Sequence, residues 1–210
     1  MDMMSKFRGI APSYPFAQPG DVFFTRGTSL LSKAIRWAER MPGEDETWTN
    51  HVGVVTTPGY FVPPDCKPHT LTMVSEALWH VEHHEWWANN KKNQGQCVAV
   101  FRPYGLSDYR VRQIVSDALS RTGDRYAWWR LFGFLGERLT YGCLPLTKLF
   151  FLKERNVCSN HAGLAMMKGG VYFGQQPFDL DPDEMLDYCM AHPRLFQFVG
   201  WSIVPALGVS

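Results

Sequence analysis

The sequence lacks the features that mark several broad classes of protein. No run of about 18 apolar residues occurs, so no membrane-spanning helix is expected. The first residues contain no apolar core of signal-peptide length. The 210 residues carry a formal net charge of +1, which gives no indication of binding to nucleic acid or to an anionic membrane surface. We therefore expect a cytoplasmic protein that forms a single domain over residues 1–210.

Cysteine is scarce and irregularly spaced. The sequence has no CxxC pair and no cysteine at zinc-ligand spacing from a histidine. This usage favours a reducing compartment in which most of the thiols are buried and free. We predict no metal and no cofactor. The five cysteines are Cys66, Cys97, Cys143, Cys158 and Cys189.

Cys158 differs from the other cysteines because a predicted helix starts at it and ends at Gly169-Gly170. The N–H groups in the first turn of a helix have no partners within the helix and carry partial positive charge. That environment favours the thiolate, which is the form that attacks carbonyl groups and esters. Cys158 is therefore a candidate nucleophile for a hydrolase or an acyltransferase.

A cysteine nucleophile needs a histidine to take its proton and a third group to orient that histidine. Of the seven histidines, His51 is the best placed, because it begins a predicted strand directly after a polar loop. Glu76 lies in another apolar strand, where an unpaired carboxylate is costly to bury, and pairing with His51 would remove that cost. An ordinary strand-edge histidine and a solvent-facing glutamate are the alternatives for these two residues.

The other histidines fit catalysis less well. His161 lies three residues after Cys158 on the same helix, whereas a base should approach the nucleophile from across a cleft. The stretch 80–85 has no HExxH motif and no helix to align its side chains, so we interpret it as a polar loop or sheet edge rather than a metal cluster. Its polar members are His80, Glu82, His83, His84 and Glu85.

Hydrophobic periodicity predicts both strands and helices. Strands are predicted over residues 21–25, 51–56, 70–78, 96–102 and 196–204. Helices are predicted over 107–121 with Ser107 as the cap, from Cys158 onward, and over 182–189 with Asp181 as the cap. Residues 80–87 are polar and aromatic, and no element is assigned to them.

An aromatic-rich stretch precedes the cysteine helix. Charged residues interrupt it, so it can lie on a membrane surface but cannot cross the bilayer. An acyl-binding wall or an interfacial patch is one interpretation. We favour the other, a helical insertion around residues 125–153 that packs over the sheet. The aromatic residues include Trp128, Trp129, Phe132, Phe134, Phe150 and Phe151.

Four short motifs, in this order, resemble the permuted NlpC/P60-like papain-fold superfamily, which includes YiiX-like and lecithin retinol acyltransferase-like proteins. The motifs are Pro19-Gly20-Asp21-Val22, Asn50-His51-Val52-Gly53, Val74-Ser75-Glu76-Ala77 and Val157-Cys158-Ser159. The resemblance implies an α+β, papain-like, circularly permuted fold with an antiparallel sheet packed on the cysteine helix. It also implies that Cys158 is the nucleophile, His51 the base and Glu76 the orienting residue.

The resemblance implies further residues near the oxyanion or the substrate, namely Tyr126, Asn50 and Ser159. The expected activity is hydrolysis of an amide in a peptide or a peptidoglycan stem. A lipid esterase or acyltransferase, and a non-catalytic binding or structural module, are the alternatives. A bacterial or phage origin is compatible with the resemblance, and the host and the oligomeric state stay open. Asn160-His161 stands where Glu-Leu is common in the family, which leaves the substrate class open.

Overall fold

Strands rich in valine and phenylalanine form the centre of the molecule. The structure, a computed structural model, describes residue 7 and residues 9–29, 32–33, 36, 47–63, 71–125, 157–178 and 180–205. Within these ranges a six-stranded antiparallel sheet packs against helices, which confirms the predicted α+β class. Tyr126 and the predicted insertion around 125–153 lie outside the described residues, apart from Arg125.

Six strands form the main sheet in the order β6-β5-β3-β2-β7-β8, and the two short strands β1 and β4 pair separately. Every pairing between these strands is antiparallel. The strands are β1 Phe16–Ala17, β2 Val22–Arg26, β3 His51–Val55, β4 Gly59–Tyr60, β5 Met73–Ala77, β6 Val81–Glu85, β7 Cys97–Pro103 and β8 Phe196–Ile203.

Three of the described helices begin at a position that the sequence predicts, either after a capping residue or at Cys158. The short first helix is the exception. They are α1 Trp86–Asn90, α2 Asp108–Ser120, α3 Cys158–Lys168 and α4 Pro182–Ala191. The Ser107 side chain accepts a hydrogen bond from the Arg110 N–H, as expected of an N-cap. Asp181 and Glu184 form a reciprocal capping box at the start of α4. Both predicted caps are therefore confirmed.

The sheet buries both of its faces. On one face, α3 packs against β3 and β5, and α2 packs against α3; the buried residues there include Val22, Phe24, Val52, Val54, Ala162 and Met166. On the other face a second apolar cluster includes Phe23, Val55, Phe61, Val74 and Trp86. Residues two apart on a strand share a face, so each central strand contributes to both clusters.

The Pro-Gly-Asp motif anchors the central strand β2 to its neighbour. Asp21 is 1% exposed, and its carboxylate accepts hydrogen bonds from Arg102 Nε and Nη2, each at 2.8 Å. The Gln18 N–H also donates to this carboxylate at 2.8 Å. A bidentate contact with arginine suits a buried carboxylate. The aspartate therefore holds the start of β2 against β7.

The stretch left unassigned by sequence is regular in the structure. Residues 81–85 form the edge strand β6, and α1 follows directly. The interpretation of this polar stretch as a sheet edge is therefore confirmed. His80, before β6, forms an isolated bridge with Arg125. Across the described parts of the chain, no helix is long and apolar enough to span a bilayer.

Candidate active site

The three residues of the predicted triad lie together at one end of the sheet. His51 Nε2 is 2.6 Å from Glu76 Oε2. Cys158 lies near the ring of His51, close enough to raise the pKa of that histidine. Since Nε2 faces Glu76, the other ring nitrogen, Nδ1, is left for the thiol. Cys158 and Glu76 are 5% and 3% exposed, so the contacts are shielded from water.

The electrostatics of the pair favour a charged His51 and an ionised Glu76. Burial alone lowers the pKa of His51, but the neighbouring Glu76, and after it Cys158, raise it to about 10. Burial alone raises the pKa of Glu76, but His51 and then His84 lower it to about 2. At neutral pH the carboxylate therefore accepts a hydrogen bond from His51 Nε2–H.

The strand register explains how Glu76 and His51 meet. Glu76 on β5 lies directly opposite Gly53 on β3, and His51 is two residues from Gly53 on the same face. Diagonal cross-strand neighbours lie within reach of long side chains. A Cβ at position 53 would lie 2.6 Å from Phe23 Cζ and 3.0 Å from Glu76 Cβ. Only glycine leaves the Phe23 ring and Glu76 room to stand side by side there.

Hydrogen bonds hold the segment before β3 at several points. They fix the position of the backbone that leads into His51. Asp183 Oδ1, in the first turn of α4, accepts hydrogen bonds from the N–H groups of Trp48 at 2.8 Å and Thr49 at 3.1 Å. The buried Thr49 hydroxyl lies 2.8 Å from the Thr25 carbonyl oxygen and 3.0 Å from that of His51. These contacts hold the base on a rigid backbone rather than on a free loop.

The start of α3 has the properties of an anion-binding helix end. Its N-cap is Val157, which makes no side-chain cap hydrogen bond. The hydrogen bonding of the first turn begins where the His161 N–H donates to the Val157 carbonyl at 2.9 Å. The N–H groups of Cys158 and the next two residues thus precede the first intrahelical bond. They can stabilise negative charge that forms beside the thiol.

Two predicted substrate-lining residues are engaged elsewhere. The Ser159 hydroxyl is buried and donates to the Leu180 carbonyl at 2.6 Å. Its side chain therefore links α3 to the segment before α4, and a role for Ser159 near the substrate stays a prediction. Asn50 Oδ1 accepts a hydrogen bond from the Gly27 N–H at 2.8 Å. A role for Asn50 toward substrate stays a prediction.

His161, the histidine nearest to Cys158 in sequence, is buried in a separate network. It is completely buried, and its Nε2 lies 3.0 Å from Ser75 Oγ. Because the Ser75 hydroxyl donates to the Ala118 carbonyl at 3.2 Å, it accepts from His161 Nε2–H. Burial, followed by the charge of Arg121, lowers the pKa of His161 to about 4. His161 is thus a neutral histidine in the core.

Sequence reasoning missed His84, which touches the other oxygen of Glu76. His84 Nε2 lies 2.8 Å from Glu76 Oε1. The two groups are in ion-pair contact, although the ring N–H is not aligned for a hydrogen bond. In the structure, the pairing of Ala77 with Val81 puts His84 diagonally across from Glu76, and the turn between these strands has no Asn-Gly or Asp-Gly signal that would predict the hairpin. Among the described residues, no group of three or more His, Cys, Asp or Glu could hold a metal ion.

Comparison with known proteins gives little beyond this geometry. No family model matches the chain, and no curated protein matches it. Among solved structures, the chain is similar to the metalloprotein yiiX from Escherichia coli O157:H7, with 20% sequence identity and a TM-score of 0.47. The similarity covers 78% of this chain and 71% of that chain. A likeness of this strength does not bear on the chemistry of the site.

Proposed function

We propose that this protein is a thiol hydrolase that cleaves an amide bond through Cys158, His51 and Glu76. The observation that supports this most directly is the position of the His51 ring, whose Nε2 lies 2.6 Å from Glu76 Oε2 and which has the buried Cys158 nearby. A nucleophile, a base and a group that orients the base form the arrangement that acyl transfer needs.

In the proposed reaction, Cys158 Sγ attacks the amide carbonyl carbon while His51 holds the proton that left the thiol. The tetrahedral intermediate places its oxyanion near the N–H groups at the start of α3. His51 then gives its proton to the leaving amine as the C–N bond breaks, which leaves a thioester on Cys158. A water molecule loses a proton to His51 and attacks the thioester, and the acid and free thiol are released.

The role of Glu76 in this scheme is to orient His51 and to stabilise its charged form. An ionised carboxylate at Nε2 directs the Nδ1 atom toward the thiol. The preferred substrate is an amide in a peptide or a peptidoglycan stem. An ester or an acyl acceptor other than water would use the same steps, so the substrate arms of the experiment must separate these cases.

The test compares Cys158→Ala and His51→Ala with a matched control, Cys97→Ala. Cys97 is also buried, and burial raises the pKa of its thiol to about 11. Fluorogenic peptide amides, soluble peptidoglycan fragments and phospholipid vesicles are the three substrate arms. We expect amide cleavage by the wild type and Cys97→Ala, and losses of at least about 10³-fold in the other two variants.

A peptidyl chloromethyl ketone gives an independent readout by intact mass. We expect one adduct per chain in the wild type and in Cys97→Ala, and none in Cys158→Ala. Full hydrolysis by Cys158→Ala would refute the proposed function. Cleavage restricted to the vesicle arm would assign an esterase or acyltransferase, and a lack of both adduct and turnover would assign a non-catalytic module.

A further inference from the structure

The carboxylate of Glu76 lies between two histidines, and only one of them has a part in the proposed reaction. His51 Nε2 lies 2.6 Å from Glu76 Oε2, and His84 Nε2 lies 2.8 Å from Glu76 Oε1. The side chain of His84 is 13% exposed and that of Glu76 is 3% exposed. A second histidine therefore holds the far side of the residue that orients the base.

The register places the two histidines on opposite diagonals of Glu76. On β3, Glu76 faces Gly53, and His51 is two residues before that glycine. On β6, Glu76 faces Glu82, and His84 is two residues after that glutamate. Because both neighbouring strands run antiparallel to β5, one histidine approaches from each end of the carboxylate. Each carboxylate oxygen thus has its own partner.

Burial makes the second partner important. A buried carboxylate with one oxygen lacking a partner pays a desolvation cost, and it can turn its plane to relieve that cost. Such a turn would move Oε2 relative to the ring of His51. Contact with His84 at Oε1 opposes this rotation. Charge favours the contact as well, because burial lowers the pKa of His84 but Glu76 and Glu82 together raise it.

We propose that His84 is a positioning residue that fixes the Glu76 carboxylate, and through it the ring of His51, by holding Oε1. This inference rests on the proposed function for its effect on turnover. His84 has no contact with the reacting atoms in that scheme, so it takes no part in bond making or breaking. Glu82 Oε2, 3.7 Å from His84 Nδ1, supports the histidine from its solvent side.

The test uses two substitutions that differ in one property. His84→Phe keeps a ring on β6 but removes the nitrogen that contacts Oε1, whereas His84→Gln keeps a polar side chain at this position. His83→Phe is the matched control, because His83 is exposed on the same strand and contacts Thr56 Oγ1 at 2.9 Å rather than Glu76.

The first readout is the downfield proton NMR signal of His51 Nε2–H, assigned by its loss in His51→Gln. It reports the bond to Glu76 without any substrate. We expect the signal to shift and broaden in His84→Phe, to be retained in part in His84→Gln and to be unchanged in His83→Phe. An unchanged signal in a folded His84→Phe protein would overturn the proposal, as would equal loss in the Phe and Gln variants.

The second readout is hydrolysis of p-nitrophenyl acetate. We expect His84→Phe to lower kcat by about ten- to a hundredfold with KM unchanged, since small displacements of catalytic groups cost that much, and His84→Gln to restore part of the loss. If Cys158→Ala hydrolyses the ester normally, the proposed function fails while the NMR signal still decides the role of His84. If Cys158→Ala is inactive and His84→Phe changes neither the NMR signal nor kcat, only the positioning role is wrong.

Discussion

Glu76 and Gly53 face each other across β3 and β5, and Glu76 Cβ and the Phe23 ring occupy the space that a side chain at position 53 would need. A Cβ at position 53 would lie 3.0 Å from Glu76 Cβ and 2.6 Å from Phe23 Cζ. Phe23 is fully buried and cannot turn out to solvent. The glycine of the His-Val-Gly motif thus preserves the geometry of Glu76 beside the base.

Gly53→Ala should therefore damage both stability and turnover. We expect a loss of about 1–3 kcal/mol in the free energy of unfolding, typical of overpacking, and a lower kcat because Glu76 is displaced. Urea unfolding and steady-state kinetics measure the two effects. Phe23→Leu shortens the facing side chain, so the Gly53→Ala effect should be smaller in that background. Additive losses in the double variant would contradict the packing argument.

Much of the site could be predicted because its residues stand at the ends of locally encoded elements. His51 follows a polar segment and begins a strand of β-branched residues, and Cys158 begins a helix that ends at paired glycines. These signals need no knowledge of distant contacts. Asp181 and Ser107 were predictable for the same reason, because caps depend on residues three positions away.

What could not be predicted depends on register and on contacts between distant segments. The β5–β6 turn contains Leu78-Trp79-His80, which has none of the Asn-Gly or Asp-Gly signals of a tight hairpin. Without that hairpin, nothing brings His84 to Glu76. The hydrogen bond from the Ser159 hydroxyl to a carbonyl 21 positions further along the chain is another contact that no local pattern predicts.

Glu76→Gln should move the alkaline limb of the pH profile. The negative charge of Glu76 helps to raise the pKa of His51 to about 10. Without that charge His51 loses its proton at lower pH, so the alkaline limb of kcat/KM should move down by about 1–3 pH units. Profiles of p-nitrophenyl acetate hydrolysis between about pH 5 and 11 would measure the shift.

The control for this shift is Glu85→Gln, which removes a carboxylate from the same hairpin without touching His51. The alkaline limb of the Glu85→Gln pH profile should coincide with that of the wild type. If Glu76→Gln left the limb in place, the coupling between the carboxylate and the base would be wrong. If both variants moved it equally, the effect would be one of general charge rather than of the Glu76–His51 contact.

His161→Gln should preserve turnover while changing how stability depends on pH. The folded pKa of His161 is lowered to about 4, so its contribution is fully present above the unfolded value of about 6.5 and is lost as pH falls toward 4. The loss is on the order of 3 kcal/mol at about 1.4 kcal/mol per pKa unit. A glutamine, which keeps a donor to Ser75, does not titrate.

Urea unfolding at several pH values between about 4 and 7 tests this directly. The free energy of unfolding should fall more steeply on acidification in the wild type than in His161→Gln. The kcat of the variant should stay close to that of the wild type, since His161 bonds Ser75 and not Cys158. A loss of turnover comparable to that of His51→Ala would make His161 a candidate base again.

Asp183→Ala tests whether the segment before β3 must be held for the base to work. Asp183 Oδ1 accepts hydrogen bonds from the N–H groups of Trp48 and Thr49, both of which are buried residues. Removing the acceptor leaves these donors unsatisfied, which should cost about 1–3 kcal/mol in the free energy of unfolding. It also frees the backbone that leads into His51, so kcat should fall while KM changes little. Urea unfolding and steady-state kinetics measure the two effects.

The matched control for Asp183→Ala is Asp187→Ala, at an exposed position one turn later on α4. This variant removes the same charge from the same helix but leaves the donors of Trp48 and Thr49 paired, so kcat should be unchanged. A lower kcat in Asp183→Ala alone would assign the effect to the contact with the segment before β3. Equal kcat values for the two variants would show that β3 holds His51 in place without help from α4.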